Sequence, residues 1–348
     1  MTARPARLTD PVFLTRVLRR HGLPEDAAVA RVAEEKLPAL VSNVRRLRLD
    51  YDGPDGGAPR SMILKTSQPE RNSSNAGRRE VAFYRDIAPL SPPGLLAQCY
   101  DADWNEDRNE WHLLMEDLGE THDHMARWPL PPAEPRWRTI LTAWARFHAA
   151  WWDDPRLGVS IGQRHDEAMS AAFARDTAAH FGRFADDMGD RLPAGRRAIF
   201  ERCLDAVPRL FARQRSHRDV TVVHGDAHAW NVLLPKDDSE DVRLFDWSDW
   251  RVSFATQDLA YMMATHWYPE RRRRLEQASL DHYHEALLAH GVSGYGRDRL
   301  GADYRLSTLL QIFTPVWQNA FGIPAWVWWG HHERTMLAFE DLGLRDLL

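Results

Sequence analysis

Apolar and polar residues alternate along Asn43–Tyr51, which reads NVRRLRLDY, and strand-like patterning returns in RSMILK, Arg60–Lys65. A period of two places every second side chain on one face, the mark of a strand resting on a core. Between the runs lies DGPDGGAP, whose Gly, Pro and Asp content predicts a hairpin turn. Upstream, residues 9–35 read as helical, opening at DPVFLTRVLRR with Asp10 as N-cap and Pro11 at the first helical position. Downstream, SNAGRREVAFYRDIAPL predicts a helix with Val81, Phe83 or Tyr84, and Ile87 on one side. WHLLMEDL predicts a strand that turns into a different region. Residues 39–118 are therefore strand-rich with one helix.

After Gly119 the period changes to that of helices. RWRTILTAWARFHAAWW puts Ile140, Trp144, Phe147 or His148, and Trp151 on one face. AIFERCLDAVPRLFARQ does the same with Phe200, Cys203, Val207 and Leu210 or Phe211, with Pro208 as a kink point. RLEQASLDHYHEALLAHG, stopped by Gly291, and DYRLSTLLQIFTPVWQ are two late helical patterns. One strand-rich insert, Val220–Trp247, interrupts this half: VTVV, a loop, NVLLP, the turn KDDSED, then VRLFDW.

Composition narrows the class. A chain of 348 residues has room for two domains or lobes. Its hydrophobic content of 44% and charged content of 27% are those of a globular protein. A formal net charge of -5 gives no basic footprint for nucleic acid, and the Arg271–Arg274 run reads as a solvated helix face. The two cysteines, Cys99 and Cys203, support neither a disulfide framework nor a cysteine metal site. MTARPARLTDPVFLTRVLRR lacks an apolar stretch long enough for a signal peptide, and no run of eighteen apolar residues occurs. A cytoplasmic protein without a membrane partner is expected. Fifteen tryptophans, many of them late in the chain, supply core and pocket material.

The chemistry concentrates in VVHGDAHAWN, Val222–Asn231. On a strand, His224, Asp226 and His228 share one face, as ligands of a hydrolytic zinc do. Gly225 and the change of pattern after Val223 favour a loop instead. Asp226 and Asn231 then stand five apart between two short strands, the spacing of the kinase loop HRDxxxxN. Asp246 ends the next strand in LFDW, where a metal-binding aspartate of a kinase stands. Lys65 ends SMILK, and Glu80 in the following helix is its natural ion-pair partner. Five elements in the right order, each on the right kind of element, favour phosphoryl transfer over hydrolysis.

With these residues the chain resembles the aminoglycoside-phosphotransferase and choline-kinase superfamily, whose catalytic loop HGDxHxxN is His224, Gly225, Asp226, His228 and Asn231 here. EVAFYRDIAP, LLMEDLG, RFHAAWW and DWSDWRVSFATQDLAYMM are similar to its ecdysteroid-kinase-like branch. The resemblance covers about residues 35–345. It implies an α+β, protein-kinase-like two-lobe fold. A nucleotide-binding lobe would span 1–118, with a helical extension over 1–35. A helical lobe would span 119–348, with the catalytic loop at 224–231 and the acceptor site. It implies ATP and Mg²⁺ as cofactors. Asp226 would orient and deprotonate the acceptor hydroxyl, and Asn231 and Asp246 would ligate Mg²⁺. Lys65, held by Glu80, would contact the α- and β-phosphates. Glu116 and Leu118 would offer backbone groups to adenine, with Met115 behind them. His224, His228 and Asp258 would support the loop.

The chain departs from the family pattern at Leu37–Asn43, LPALVSN, which has no glycine where the nucleotide-covering loop belongs. Backbone N–H groups around Val41, Ser42 and Asn43 would have to serve instead. For the acceptor, Asp249, Trp250, Trp317, Trp326 and Trp329 are the candidates, since PAWVWWGHHE is too aromatic for an ordinary exposed loop. Such a lining suits an amphipathic hydroxylated partner, either an antibiotic of aminoglycoside or nucleoside type or a choline-like or sterol-like alcohol. A ligand-binding protein on a kinase-like fold is the non-enzymatic alternative. A monomer or homodimer is expected.

Overall fold

The computed structural model describes residues 8–39, 42–68, 74–124, 130–237 and 239–348. It divides into two compact units: the chain up to His124 with Leu233–Asp249, and the remainder. The first unit thus reaches past residue 118 and takes back part of the strand-rich insert.

The first unit opens with helix α1 (Pro11–Arg19), where the Val12 N–H donates to the Asp10 carboxylate at 2.8 Å. The expected helix ends there. Ala28–Leu37 is strand β1, paired with β2 (Asn43–Asp52). Helix-forming Ala, Glu and Lys residues fill this strand. It lies at the sheet edge with only Val29 fully buried, so no alternation marks it. Strand β3 (Ser61–Thr66), helix α2 (Ser74–Ala82), β4 (Cys99–Asn105), β5 (Glu110–Glu116) and β6 (His122–His124) follow. The sheet order is β1-β2-β3-β5-β4, antiparallel throughout. Leu14, Val17 and Leu18 of α1 cover one face with Leu47, Leu49, Met62, Leu64 and Leu114. Helix α2 approaches so closely that a Cβ on Gly77 would stand 2.1 Å from the Trp111 indole nitrogen. The helix widens into a π turn over Phe83–Ile87, which lets Phe83, Tyr84 and Ile87 all reach the interior.

The second unit is mainly helical. It holds α3 (Glu134–Ala150), α4 (Glu167–Met188), α5 (Ala194–Leu210), with Pro208 inside, and strand β7 (Thr221–Val223). The chain then supplies β8 (Val232–Pro235) and β9 (Arg243–Leu244), which with β6 make a small sheet of order β6-β8-β9. Strand β10 (Arg251–Ser253) pairs with β7 in the second unit. Helices α6 (Thr256–Ala260), α7 (Pro269–Ala289), α8 (Arg297–Leu310), α9 (Thr314–Ala320) and α10 (Ala325–Asp341) complete it. The core joins Phe184, Phe200, Cys203 and Val207 with Ile312, Phe313, Val316 and Phe339. The aromatic stretch expected as an unusual loop is the first half of α10. An antiparallel N-terminal sheet followed by a helical C-terminal region is the α+β class that the family resemblance implies.

Candidate active site

In the first unit, β3 carries Lys65 between its partners Val44 and Leu113. Its ammonium donates to Glu80 Oε1 at 2.7 Å and to Asp246 Oδ1 at 2.7 Å. Glu80 comes from α2 and is only 2% exposed. Burial and the nearby Asp246 carboxylate outweigh the attraction of Lys65 and push the Glu80 carboxyl up to about 7. For Lys65, burial opposes the charge, but Asp246 and Glu80 together hold the ammonium firmly protonated. Asp246 takes a left-handed backbone, φ 65°, a strained choice for a non-glycine residue. Behind it Trp247 stacks on Phe83 with centroids 4.0 Å apart. Asp249 is half exposed and lies 3.7 Å from the Arg79 guanidinium.

The LPALVSN segment runs from the end of β1 to the start of β2, and its Leu40 and Val41 lie outside the described residues. The Ser42 carbonyl accepts from the Gln68 side chain at 3.0 Å, and the Asn43 amide donates to the Ser67 carbonyl at 3.1 Å. These bonds pin Ser42 and Asn43 to the chain just after β3. Met115 is buried on β5 opposite Ile63. The Glu116 N–H is taken by the Gln98 carbonyl at 2.8 Å. The Leu118 carbonyl accepts from Thr121 and His122 N–H groups. Sequence reasoning missed Asp117. Its carboxylate accepts from Arg46 Nε at 2.7 Å, from the Ser61 hydroxyl and from the Gly119 N–H at 3.0 Å, which fixes the segment after β5.

In the second unit, the catalytic-loop motif hangs between β7 and a 3-10 turn over Ala229–Asn231. The completely buried Asp258 of α6 accepts from the His224 N–H at 2.7 Å, the Gly225 N–H at 2.9 Å and His148 Nε2 at 3.2 Å. His148 is itself held by Tyr283 at 2.7 Å. Gly225 has φ 84°, open to glycine at little cost. The Asp226 N–H reaches His224 Nδ1 at 3.2 Å. Asn231 donates through Nδ2 to the Asp226 carbonyl at 2.9 Å and to its carboxylate at 3.2 Å. His228 Nε2 stands 3.4 Å from the same carboxylate. Burial opposes ionisation of Asp226. His228, the hydroxyl of Tyr261 and His224 overcome it and hold the carboxyl well below the usual range. Among the described residues, His224, Asp226 and His228 do not form a cluster that could hold a metal ion.

Tyr261 was not legible as a site residue. It opens a second π turn, Tyr261–Thr265, which ends at His266. Tyr261, His266 and His331 of α10 form a row of rings beside His228: His228–His266 centroids are 5.3 Å apart and His266–His331 4.7 Å. The tryptophan candidates stand differently. Trp250 is buried near Gly162. Trp317 donates to Thr177 of α4 at 3.1 Å and meets His180 edge-on. Trp326 is 69% exposed on α10, while Trp329 packs near Trp328 and His332.

Asn231 spends its amide nitrogen on Asp226, so its Oδ1 is an oxygen donor in the second unit. In the first unit, Asp246 offers a carboxylate. Both are hard oxygen donors of the kind Mg²⁺ takes in small number alongside phosphates. No described helix is long and apolar enough to cross a membrane.

A search of curated protein sequences finds no match. Among solved structures, the Plasmodium vivax ethanolamine kinase is 10% identical, with 97% of this chain and 89% of that chain covered and a TM-score of 0.58. A microcompartment-associated aminopropanol kinase is 11% identical, covering 96% and 99%, with a TM-score of 0.57. An amicoumacin kinase in complex with AMP-PNP, Ca²⁺ and Ami is 13% identical, covering 96% and 96%, with a TM-score of 0.54. At such identities the likeness is one of fold. The family model of the phosphotransferase enzyme family matches residues 37–300, well over half of the sequence. The chain belongs to the phosphotransferase enzyme family.

Proposed function

We propose that the protein moves the γ-phosphate of Mg·ATP to a hydroxyl of a small molecule. The observation that carries this reading is the Lys65 ammonium, bound at 2.7 Å to both Glu80 and Asp246, residues that stand far apart in sequence. Lys65 is the phosphate contact, and Glu80 sets its position. The carbonyl of Glu116 and the N–H of Leu118 are the adenine contacts, with Met115 behind them. The segment at Ser42–Asn43 takes the place of a glycine-rich loop.

When bound, Mg²⁺ neutralises charge building on the phosphate oxygens. Asp246 and the Oδ1 of Asn231 are the groups that would hold it. Asp226 accepts a hydrogen bond from the acceptor hydroxyl and receives its proton as the bond to phosphorus forms. A carboxylate held so far below its usual range is a weak base. Orientation of the hydroxyl is therefore its main contribution, which suits a loose transition state in which the proton leaves late. Asp258, His224 and His228 keep the loop in register.

The antibiotic and amino-alcohol kinases that share the fold make both acceptor classes worth testing. Measured Mg·ATP consumption over a panel of aminoglycosides, nucleosides, amino alcohols and sterols is the test. Phosphorylation of one class is the expected result. A purified protein that binds no nucleotide and phosphorylates nothing contradicts the proposal.

A further inference from the structure

The imidazole row beside Asp226 ends in a polar atom that the chain itself does not satisfy. His331 is 1% exposed, and its Nδ1 lies 2.8 Å from Gln318 Oε1. An amide oxygen only accepts, so Nδ1 carries the proton and Nε2 keeps its lone pair. That Nε2 is buried with no hydrogen-bond partner among the described residues. Thr265 Oγ1, next to His266, is likewise buried and unpartnered. An orphaned buried acceptor is costly, and a group from outside the chain is its ordinary explanation. The π turn that presents His266 is a feature that recurs at functional sites.

We propose that His331, with His266 beside it, reads the phosphate acceptor: its Nε2 takes a hydrogen bond from an uncharged O–H or N–H that is not the hydroxyl being phosphorylated. The acceptor class is thus a neutral polyhydroxylated molecule, such as a nucleoside or a sugar-like polyol, rather than an amine. The charges that act on His331 are the guanidinium of Arg334 and the carboxylate of Asp226, with His228 between. Arg334 donates to the Thr265 carbonyl at 3.4 Å, so a cation stands at this end of the row. Asp226 is engaged with the reacting hydroxyl. An ammonium group placed at His331 would stand beside the Arg334 guanidinium, and the carboxylate that acts there, Asp226, is taken up by the reacting hydroxyl. His331 stays neutral, since burial and Arg334 push its imidazole down to about 3. Trp230 and His228, both partly exposed, border His266.

This inference rests on the phosphotransferase reading, and the test separates the two. The full-length protein is assayed with Mg·ATP against nucleosides and uncharged polyols, and against ethanolamine, choline and aminoglycosides. Turnover of neutral acceptors is expected, with His331→Phe raising the acceptor KM about 10-fold and leaving the ATP KM within about twofold, the size of one lost hydrogen bond. His331→Gln keeps an acceptor oxygen and is expected to recover most of that loss. Should His331→Phe fail to fold, ¹⁵N-histidine NMR on the unaltered protein gives the answer: neutral acceptor shifts the His331 Nε2 resonance. Preference for amines, an unchanged acceptor KM, an unmoved Nε2 resonance, or ATP binding without turnover of any neutral acceptor overturns the inference. Absence of both ATP binding and turnover contradicts the phosphotransferase reading itself.

Discussion

One ammonium, that of Lys65, stands between two carboxylates, and the arrangement leaves a negative charge in excess. Its consequence is visible in Glu80, whose carboxyl is pushed up to about 7 by burial and by Asp246. The folded state then holds a proton that the unfolded chain releases near the usual glutamate value. Stability from this group is present at low pH and is lost as pH rises through about 7. Glu80→Gln, which is always neutral, is therefore expected to gain in melting temperature relative to the unaltered protein between pH 5 and pH 8. A difference that is flat or runs the other way refutes the shift. Lys65→Met leaves Glu80 and Asp246 facing each other with no cation. A loss of roughly 3 kcal/mol in chemical denaturation at pH 8 is expected, as for a broken buried pair. The ATP KM is expected to rise in the same variant.

At the scale of elements, one close approach sets the geometry around Glu80. Helix α2 reaches the sheet only because residue 77 has no side chain. Gly77→Ala is expected to push the helix off Trp111, to cost on the order of 1–3 kcal/mol, and to weaken ATP binding by displacing Glu80. Denaturation and nucleotide titration of the one variant check both halves. Helix α10 carries a second signature. Burial holds His331 down to about 3 and His332 to about 4, against an ordinary value near 6.5. Here the unfolded chain binds protons first, so stability falls as pH drops below about 6.5. Replacing His332 by Phe is expected to flatten that fall in a melting series from pH 7 to pH 4. The strands and helices with a clean period were legible in the sequence, among them β2, β3, α3 and α5. Strand β1 was not, because an exposed edge strand rich in Ala, Glu and Lys shows no alternation and gains its form from pairing with β2. The two π turns were also hidden, since one extra residue in a turn leaves no mark in composition.

For the whole molecule, the HGDxHxxN spacing and the order Lys65, Glu80, Asp226, Asn231, Asp246 made the family legible before any fold was known. The supporting layer was partly legible. Asp258 stood out by its place in QDLAYMM, and the structure puts its carboxylate on the His224 and Gly225 N–H groups. Tyr261, His266 and Asp117 did not stand out, since their meaning lies in contacts across long sequence separations. The most direct test of the central claim is single-turnover phosphoryl transfer by Asp226→Asn with Mg·ATP and the best acceptor of the panel. The side chain keeps its size, so folding and nucleotide affinity are expected to stay within about twofold, while the transfer rate falls by roughly 10²–10⁴. Transfer at an undiminished rate in a folded, ATP-binding variant contradicts the role given to Asp226, and with it the phosphoryl-transfer mechanism built on this loop.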